Sequence, residues 1–309
     1  MSDPVMTNGV TICECFARDG LQHEAVFVPT ATKIALIDAF TNAGFPRIEA
    51  TSYSHPAHVP AFRDAAEVLA GISRGPSVFY KATCPNLRAI ERAVADIDAG
   101  RGANELSLLV SATEGHTARN LKTTRAEQWA RVAAMAAAAH GQARLVGVIS
   151  VAFGCPIEGA VDAGVVADDA TRFAAMGVDI VALGDTTGMA TPQSVRQIFT
   201  RLTSALPGVH LVAHFHNTRG TGIANCMAAL DAGCRWFDTA LGGVGGHPAK
   251  IQYGEGLTGN VATEDLVSLL DRCGVNTGID LDQMMAASRL CEAALGRELH
   301  SMVARAGLT

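Results

Sequence analysis

The sequence has no long hydrophobic run and no excess of basic residues. Its longest bland stretch, residues 133–139, is alanine interrupted by one methionine, far shorter than the roughly 20 apolar residues of a membrane-spanning helix. Lysine and arginine number 24 against 30 aspartates and glutamates, which gives a net charge of −6. We therefore expect neither a membrane protein nor a nucleic-acid-binding protein.

The sequence also lacks a cysteine framework. Its eight cysteines are scattered and include no CxxC pair, so we expect buried, reduced thiols instead of disulfides or a zinc site. The first ten residues have no basic start followed by an apolar core, and this pattern predicts no secretory signal. Together these features favour a cytoplasmic protein.

The chain does have a regular alternation of two patterns. Short apolar runs rich in Val, Ile, Leu, Phe and Ala predict strands over 10–15, 47–51, 77–83, 105–111, 144–152, 179–184, 210–216 and 236–240. Segments with a period near 3.6 predict helices over 32–43, 86–95, 125–140, 168–176, 191–205, 220–231, 263–273 and 282–295.

Eight strands that alternate with helices predict a parallel sheet. An open, doubly wound sheet normally carries a glycine-rich phosphate turn after its first strand, and no GxGxxG follows residue 15. The repeat length of 25–40 residues fits the unit of an eightfold barrel. We predict one domain, an α/β (β/α)8 TIM barrel over about 10–262 with additional C-terminal helices over about 263–305.

Candidate reactive residues lie where the predicted strands end, which is the catalytic face of a barrel. His214 and His216 are two residues apart on a strand, so both side chains point to one face. Alone, this pair fits a metal site and an ordinary core-plus-surface histidine pair equally well. Asp19, after the first strand, adds a carboxylate at the same end, and two histidines with one carboxylate form a sound metal-ligand set.

Three further charged residues near the strand ends have two interpretations each. Arg18 either forms a structural pair with Asp19 or stabilises a developing oxyanion or enolate. Glu49 lies inside an apolar run, so it needs a partner, and Arg18 is the candidate. Asp185 either orients a histidine or caps the next helix.

Two weaker motifs carry little functional weight. His55 and His58 form an HxxH, but the intervening Pro56 predicts a turn on a surface loop. The glycine-rich run 242–246 is compatible with a phosphate contact and equally with a sharp turn.

Several stretches taken together resemble 3-hydroxy-3-methylglutaryl-CoA lyase and its relatives, the metal-dependent TIM-barrel lyases and Claisen-type synthases. The resemblance runs from about residue 10 to about residue 295, and the RDGLQ form at 18–22 is similar to the lyase branch. The supporting stretches are CFARDGLQ at 15–22, IEATSY at 48–53, FGCPIEG at 153–159, LGDTTG at 183–188, HFHN at 214–217 and GNVATEDL at 259–266.

The resemblance implies a divalent-metal site and a set of roles. The implied metal ligands are Asp19, His214, His216 and Asn260. Mg²⁺ or Mn²⁺ is the expected ion, and Zn²⁺ or Co²⁺ also suits imidazole ligands. Arg18 is expected to steady the carbonyl or enolate oxygen and to bind substrate together with Gln22. Glu49 and Asp185 are expected to support catalysis.

The implied reaction cleaves a 3-hydroxyacyl-CoA to acetyl-CoA and a keto acid, with His214 or a nearby acid as base. The expected substrate is 3-hydroxy-3-methylglutaryl-CoA or a close analogue. The alternative is an aldolase or Claisen-type synthase of the same superfamily that acts on a 2-oxoacid. A small-molecule acyl-CoA is the expected partner, and the sequence is compatible with a homo-oligomer without identifying its face.

The sequence departs from the lyase pattern at two positions. His247 stands where the lyases have a cysteine that acts as acid and base on the loop after the eighth strand, and Asn217 stands where they have an aspartate. Because histidine exchanges protons near neutral pH, we expect His247 to take over the role of the cysteine. A different substrate is the other interpretation of this change.

Overall fold

The structure is a computed structural model that describes residues 9–246 and 259–308. Eight parallel strands close into a barrel in sequence order, with the first strand hydrogen-bonded to the eighth. The strands are β1 (Thr11–Glu14), β2 (Arg47–Ser52), β3 (Phe79–Thr83), β4 (Glu105–Ser111), β5 (Arg144–Ser150), β6 (Ile180–Asp185), β7 (His210–Phe215) and β8 (Trp236–Thr239).

Helices follow the strands and pack around the barrel. Those in the described residues are α1 (Thr30–Asn42), α2 (Ala65–Gly71), α3 (Leu87–Asp98), α4 (Glu114–Leu121), α5 (Arg125–Ala139), α6 (Ala163–Ala175), α7 (Pro192–Ala205), α8 (Gly222–Asp231), α9 (Thr263–Arg272), α10 (Leu281–Leu295) and α11 (Met302–Ala306). None of the helices within 9–246 and 259–308 has both the length and the apolar character that crossing a bilayer requires.

The predicted TIM barrel is confirmed, and all eight predicted strands are present with ends shifted by a few residues. The helix predictions missed α2, α4 and α11, which have seven, eight and five residues, because such short helices show little periodicity. Helix α6 begins at Ala163, five residues before the predicted start, because Asp162 caps it by accepting a hydrogen bond from the Gly164 N–H.

The barrel interior is divided between apolar and charged side chains. Alternation along each strand sends every second residue inward. On the side of β5 to β8, a cluster of small and medium apolar residues with one tryptophan fills the interior (Val146, Ile180, Ala182, Val212 and Trp236). On the opposite side, β2 to β4 carry buried charged residues, including Arg47, Glu49, Lys81 and Glu105. The buried charges of β2 to β4 therefore lie in one half of the barrel interior.

A buried glutamate stabilises the closure between β1 and β8. Glu14 Oε1 accepts hydrogen bonds from the backbone N–H groups of Phe16 and Leu241, and its Oε2 lies 2.6 Å from Thr263 Oγ1. Thr263 Oγ1 is also 2.8 Å from Thr239 Oγ1. Burial raises the pKa of Glu14 to about 8. A protonated Glu14 can donate to Thr263, which leaves the single Thr263 proton for Thr239.

The pKa of Glu14 predicts a dependence of stability on pH. The folded state holds a proton that the unfolded chain releases above about 4.5. Stability should therefore fall by roughly 1.4 kcal/mol per pH unit as the pH rises from about 4.5 towards 8. Glu14→Gln mimics the protonated form, so its stability should lack this dependence on pH. Urea unfolding at pH 5 and pH 8 checks it, with exposed Glu91→Gln as control. An equal pH dependence in wild type and Glu14→Gln would refute the assignment.

Candidate active site

The predicted metal-ligand residues come together at the carboxyl ends of the strands. Asp19 follows β1 and precedes a 3₁₀ turn at Gly20–His23, while His214 lies in β7 and His216 follows it. Asn260 reaches the same place because it forms a β-bridge with His216. These four side chains therefore converge from distant parts of the chain on one end of the barrel.

The distances within this group fit a shared cation. Ligand atoms of Asp19, His214 and His216 all lie within 4.8 Å of one another. The two histidine Nε2 atoms are 3.2 Å apart, and His216 Nε2 is 3.7 Å from Asp19 Oδ2. Asn260 Nδ2 donates to Asp19 Oδ2 at 2.6 Å, while the buried Asn260 Oδ1 has no hydrogen-bond partner.

The donor set supports the same conclusion. Two facing imidazole nitrogens and a carboxylate oxygen gather within 4.8 Å, and Asn260, whose amide oxygen has no hydrogen-bond partner, adjoins them through its contact with Asp19. Such a set suits a divalent ion, with imidazole and oxygen ligands in combination. The residues present therefore fit the metal that the sequence predicts.

Arg18 connects the predicted metal-ligand residues to Gln22 and Glu49. Its Nη1 lies 3.0 Å from Asp19 Oδ1 and 3.1 Å from Gln22 Oε1, and its Nε lies 2.8 Å from Glu49 Oε1. Burial works against its charge, but Glu49 and Asp19 outweigh burial and raise the pKa of Arg18. Arg18 is therefore a fixed cation, and the predicted Arg18–Glu49 pair is present.

Asp19 is held in its ionised form. Burial alone would raise the pKa of its carboxyl, but the neighbouring Arg18 and the two histidines hold it well below its usual range. The group is therefore an anion at neutral pH, which is the form that binds a metal.

Asp238, on β8, is a site residue that the sequence analysis missed. Its Oδ2 lies 3.2 Å from Lys81 Nζ and 3.4 Å from His214 Nδ1. Lys81 Nζ is in turn 3.6 Å from Glu49 Oε1. Burial opposes the charge of Asp238, but Lys81 and His214 outweigh it and lower its pKa. Asp238 and Lys81 each lie inside an apolar run. The same signal identified Glu49, and it would have identified these two residues as well.

The contacts of Asp185 match neither of the two roles predicted from its position after a strand, which were to orient a histidine or to cap the next helix. Its Oδ1 accepts hydrogen bonds from the backbone N–H groups of Met189 and Ala190, and it thereby shapes the turn after β6. Thr191, not Asp185, caps α7. The other oxygen of Asp185 is buried without a hydrogen-bond partner, and burial raises its pKa to about 6. It is Asp238 that contacts a ring nitrogen of His214.

Other sequence-predicted residues are placed as follows. His55 and His58 are exposed on a loop, as predicted, and His55 Nδ1 accepts from the Ala57 N–H. Asn217 Oδ1 accepts from the Gly222 N–H at 2.9 Å. An aspartate could accept the same bond, so this departure from the lyase pattern is structurally mild. His247 lies outside the described residues.

The glycine-rich run packs directly against the metal-ligand residues. A Cβ added to Gly245 would lie 2.5 Å from Asn260 Nδ2 and 3.1 Å from Asp19 Oδ2, and its φ of +117° disfavours any side chain. This close approach explains the glycine without a phosphate.

Gly245→Ala is therefore expected to displace Asn260 and weaken divalent-metal binding by about 10-fold or more, the range seen when groups supporting metal ligands are altered. Isothermal titration with Mn²⁺ measures the change. Gly208→Ala is the matched control, because Gly208 has a φ of +96° but no atom within 4 Å of the added Cβ. Equal metal affinity in the two variants would contradict the steric argument.

Fold and site together define a class, a TIM barrel whose mouth holds a candidate metal-ligand set and a fixed arginine. Residues 9–291 match the HMGL-like family. The mitochondrial hydroxymethylglutaryl-CoA lyase of Mus musculus is 39% identical over 298 residues, covering 96% of this chain and 89% of that protein. The cytoplasmic 3-hydroxy-3-methylglutaryl-CoA lyase of the same species is 36% identical over 304 residues, with 98% and 86% covered.

A solved structure gives the same result. The HMG-CoA lyase from Acinetobacter baumannii, in complex with coenzyme A and 3-methylmalate, has a TM-score of 0.91 and 38% identity, covering 99% of this chain and 97% of that one. The chain belongs to the HMGL-like family, and the resemblance found in its sequence is confirmed.

Proposed function

We propose that this protein is a divalent-metal-dependent carbon–carbon lyase that cleaves 3-hydroxy-3-methylglutaryl-CoA, or a close analogue, to acetyl-CoA and a keto acid. One observation carries the proposal: Asp19, His214 and His216 gather within 4.8 Å beside Arg18, which is itself fixed by Glu49. The named activity of relatives 36–39% identical over nearly the whole chain supports it.

Asp19, His214, His216 and Asn260 would hold the metal, which we propose to be Mg²⁺ or Mn²⁺. A bound divalent cation polarises the substrate alcohol and lowers its pKa. The chain's own residues supply the remaining functions. Arg18 offers guanidinium N–H groups to the thioester oxygen, where negative charge develops as the enolate forms. Because Glu49 and Asp19 already hold the guanidinium group in place, Arg18 needs little reorganisation as the negative charge develops.

The reaction removes one proton from the substrate hydroxyl group and returns one proton to the enolate carbon. A base removes the hydroxyl proton, the bond between C2 and C3 breaks, and its electron pair passes into the thioester enolate. Glu49 and Asp185 each keep one buried oxygen without a hydrogen-bond partner, so each can accept that proton. His214 Nδ1 faces Asp238 and its Nε2 faces His216, so we assign the Nε2 lone pair to the metal and the role of base to one of these two acids. We assign the proton that returns to the enolate carbon to His247.

The deciding experiment is turnover of 3-hydroxy-3-methylglutaryl-CoA with Mg²⁺ or Mn²⁺, followed by the release of acetyl-CoA, in wild type and in His247→Cys. Arg18→Gln is the control for catalysis at this site. Activity in wild type that is lost in Arg18→Gln supports the proposal. Activity in His247→Cys alone would mean that His247 adapts a lyase barrel to another substrate. Two inactive proteins, or cleavage of a 4-hydroxy-2-oxoacid instead, would refute it.

The predicted cytoplasmic location belongs to the same proposal. Named relatives include both a mitochondrial and a cytoplasmic lyase, and we place this protein with the cytoplasmic one. Fractionation of the source cells with antibody detection tests it.

A further inference from the structure

A series of paired charged side chains lies inside the barrel next to the predicted metal-ligand residues. Asp238 is its centre: the residue is buried on β8, and its Oδ2 lies between Lys81 Nζ at 3.2 Å and His214 Nδ1 at 3.4 Å. We infer that Asp238, held by Lys81, is a positioning residue that fixes the ring and tautomer of His214 so that Nε2 serves as a metal ligand. The inference rests on the metal site of the proposed function.

The tautomer follows from the two neighbours of His214. A neutral imidazole carries one N–H and one lone pair. Asp238 Oδ2 faces Lys81 Nζ, which can only donate, so this oxygen is an acceptor and the His214 nitrogen that faces it carries the proton. The lone pair is then left on Nε2, which faces His216 Nε2 across 3.2 Å. Two N–H groups pointing at each other across that gap would repel, whereas a lone pair on His214 Nε2 removes the conflict.

Lys81 and Arg47 hold Asp238 in place from its other side. Arg47 Nη1 lies 3.5 Å from Asp238 Oδ1, while Nε and Nη2 of the same arginine bond Glu105. Lys81 Nζ also lies 3.6 Å from Glu49 Oε1, the carboxylate that fixes Arg18. The contacts therefore link Arg18, Glu49, Lys81, Asp238 and His214 in one series. The arginine on the substrate side and the histidine on the metal side are thus positioned by the same lysine.

The test compares Mn²⁺ affinity of wild type and Asp238→Asn by isothermal titration of metal-free protein. Loss of an outer partner of a ligating histidine typically weakens metal binding 10–100-fold, and we expect a loss in that range. Asp64→Asn is the matched control, since Lys33 Nζ and Asp64 Oδ1 form a buried pair at 2.7 Å between α1 and the start of α2. It breaks a comparable ion pair and should leave Mn²⁺ affinity unchanged.

A second readout separates positioning from a general structural effect. In Mg²⁺-loaded protein with ¹⁵N-labelled histidine, His214 should carry its proton on Nδ1, and this signature should change in Asp238→Asn. If Asp238→Asn does not fold because Lys81 loses its partner, the double variant Lys81→Met/Asp238→Asn removes both charges and takes its place in both measurements.

The outcomes are distinct. Weaker Mn²⁺ binding with an altered His214 tautomer supports the inference. Wild-type affinity in Asp238→Asn, or in the double variant, overturns it while leaving the proposed metal site intact. Absence of Mn²⁺ binding in wild type itself overturns the metal site of the proposed function, and this inference with it.

Discussion

Replacing Asp19 by alanine is expected to abolish tight divalent-metal binding and, with it, turnover. Asp19 is the carboxylate of the ligand group, and its Oδ2 sits between Asn260 Nδ2 at 2.6 Å and His216 Nε2 at 3.7 Å. Its low pKa keeps it anionic at neutral pH. Changes to outer partners of metal ligands already cost about 10–100-fold, so loss of a ligand should exceed about 100-fold.

Metal content after dialysis and Mn²⁺ titration measure this effect, and His216→Ala should behave in the same way. His58→Ala is the control, because His58 belongs to the exposed HxxH motif and should leave metal binding unchanged. Arg18 keeps Glu49 as a partner at 2.8 Å when Asp19 is removed, so we expect Asp19→Ala to fold. A folded Asp19→Ala that retains its metal would eliminate the proposed ligand set.

The second large effect concerns His247. His247→Ala should leave metal binding intact but lower turnover by roughly 10²- to 10⁴-fold, the contribution of a general acid or base. The described residues on both sides of segment 247–258 lie at the site. Gly245 packs on Asn260 and Asp19, and a Cβ added to Gly259 would lie only 2.1 Å from the Gly245 carbonyl oxygen, so the two flanks are in close contact.

Single-turnover and steady-state kinetics with equal metal loading test the role of His247. His140→Ala, at an exposed position after α5, is the control for loss of a histidine in general. His247→Cys should restore part of the activity, since a thiol can also donate a proton. Full activity in His247→Ala would show that the enolate receives its proton from another group, and the argument from the missing cysteine would fail.

Local sequence patterns were sufficient for the barrel. Each apolar run of five to nine residues produced one strand, because a parallel strand covered on both faces needs a nearly continuous apolar sequence. The patterns also identified Asp19, His214 and His216, since residues at strand ends share one face of a barrel. Asn260 came only from the resemblance to the lyases, because an asparagine in a loop carries no local signal for metal binding.

Local sequence patterns could not predict two features of the site. Asp238 pairs with Lys81 across 157 residues of sequence, and no periodicity shows which buried charges will meet. Asp185 follows a strand as a catalytic acid would, yet one of its oxygens is used by the turn at Met189 and Ala190. Both outcomes depend on which atoms reach each other after the barrel closes.

The sequence by itself determined the eightfold barrel, the convergence of Asp19, His214 and His216 at one end of it and the family to which the chain belongs. These follow from short-range periodicity and from motifs whose residues are contiguous. The tertiary structure alone decided which residues meet Asp238 and Asn260: Lys81 and His214 contact Asp238, and Asp19 contacts Asn260. A buried charge must be paired, but closure of the barrel selects its partner, because only closure brings residues from distant strands within hydrogen-bonding distance.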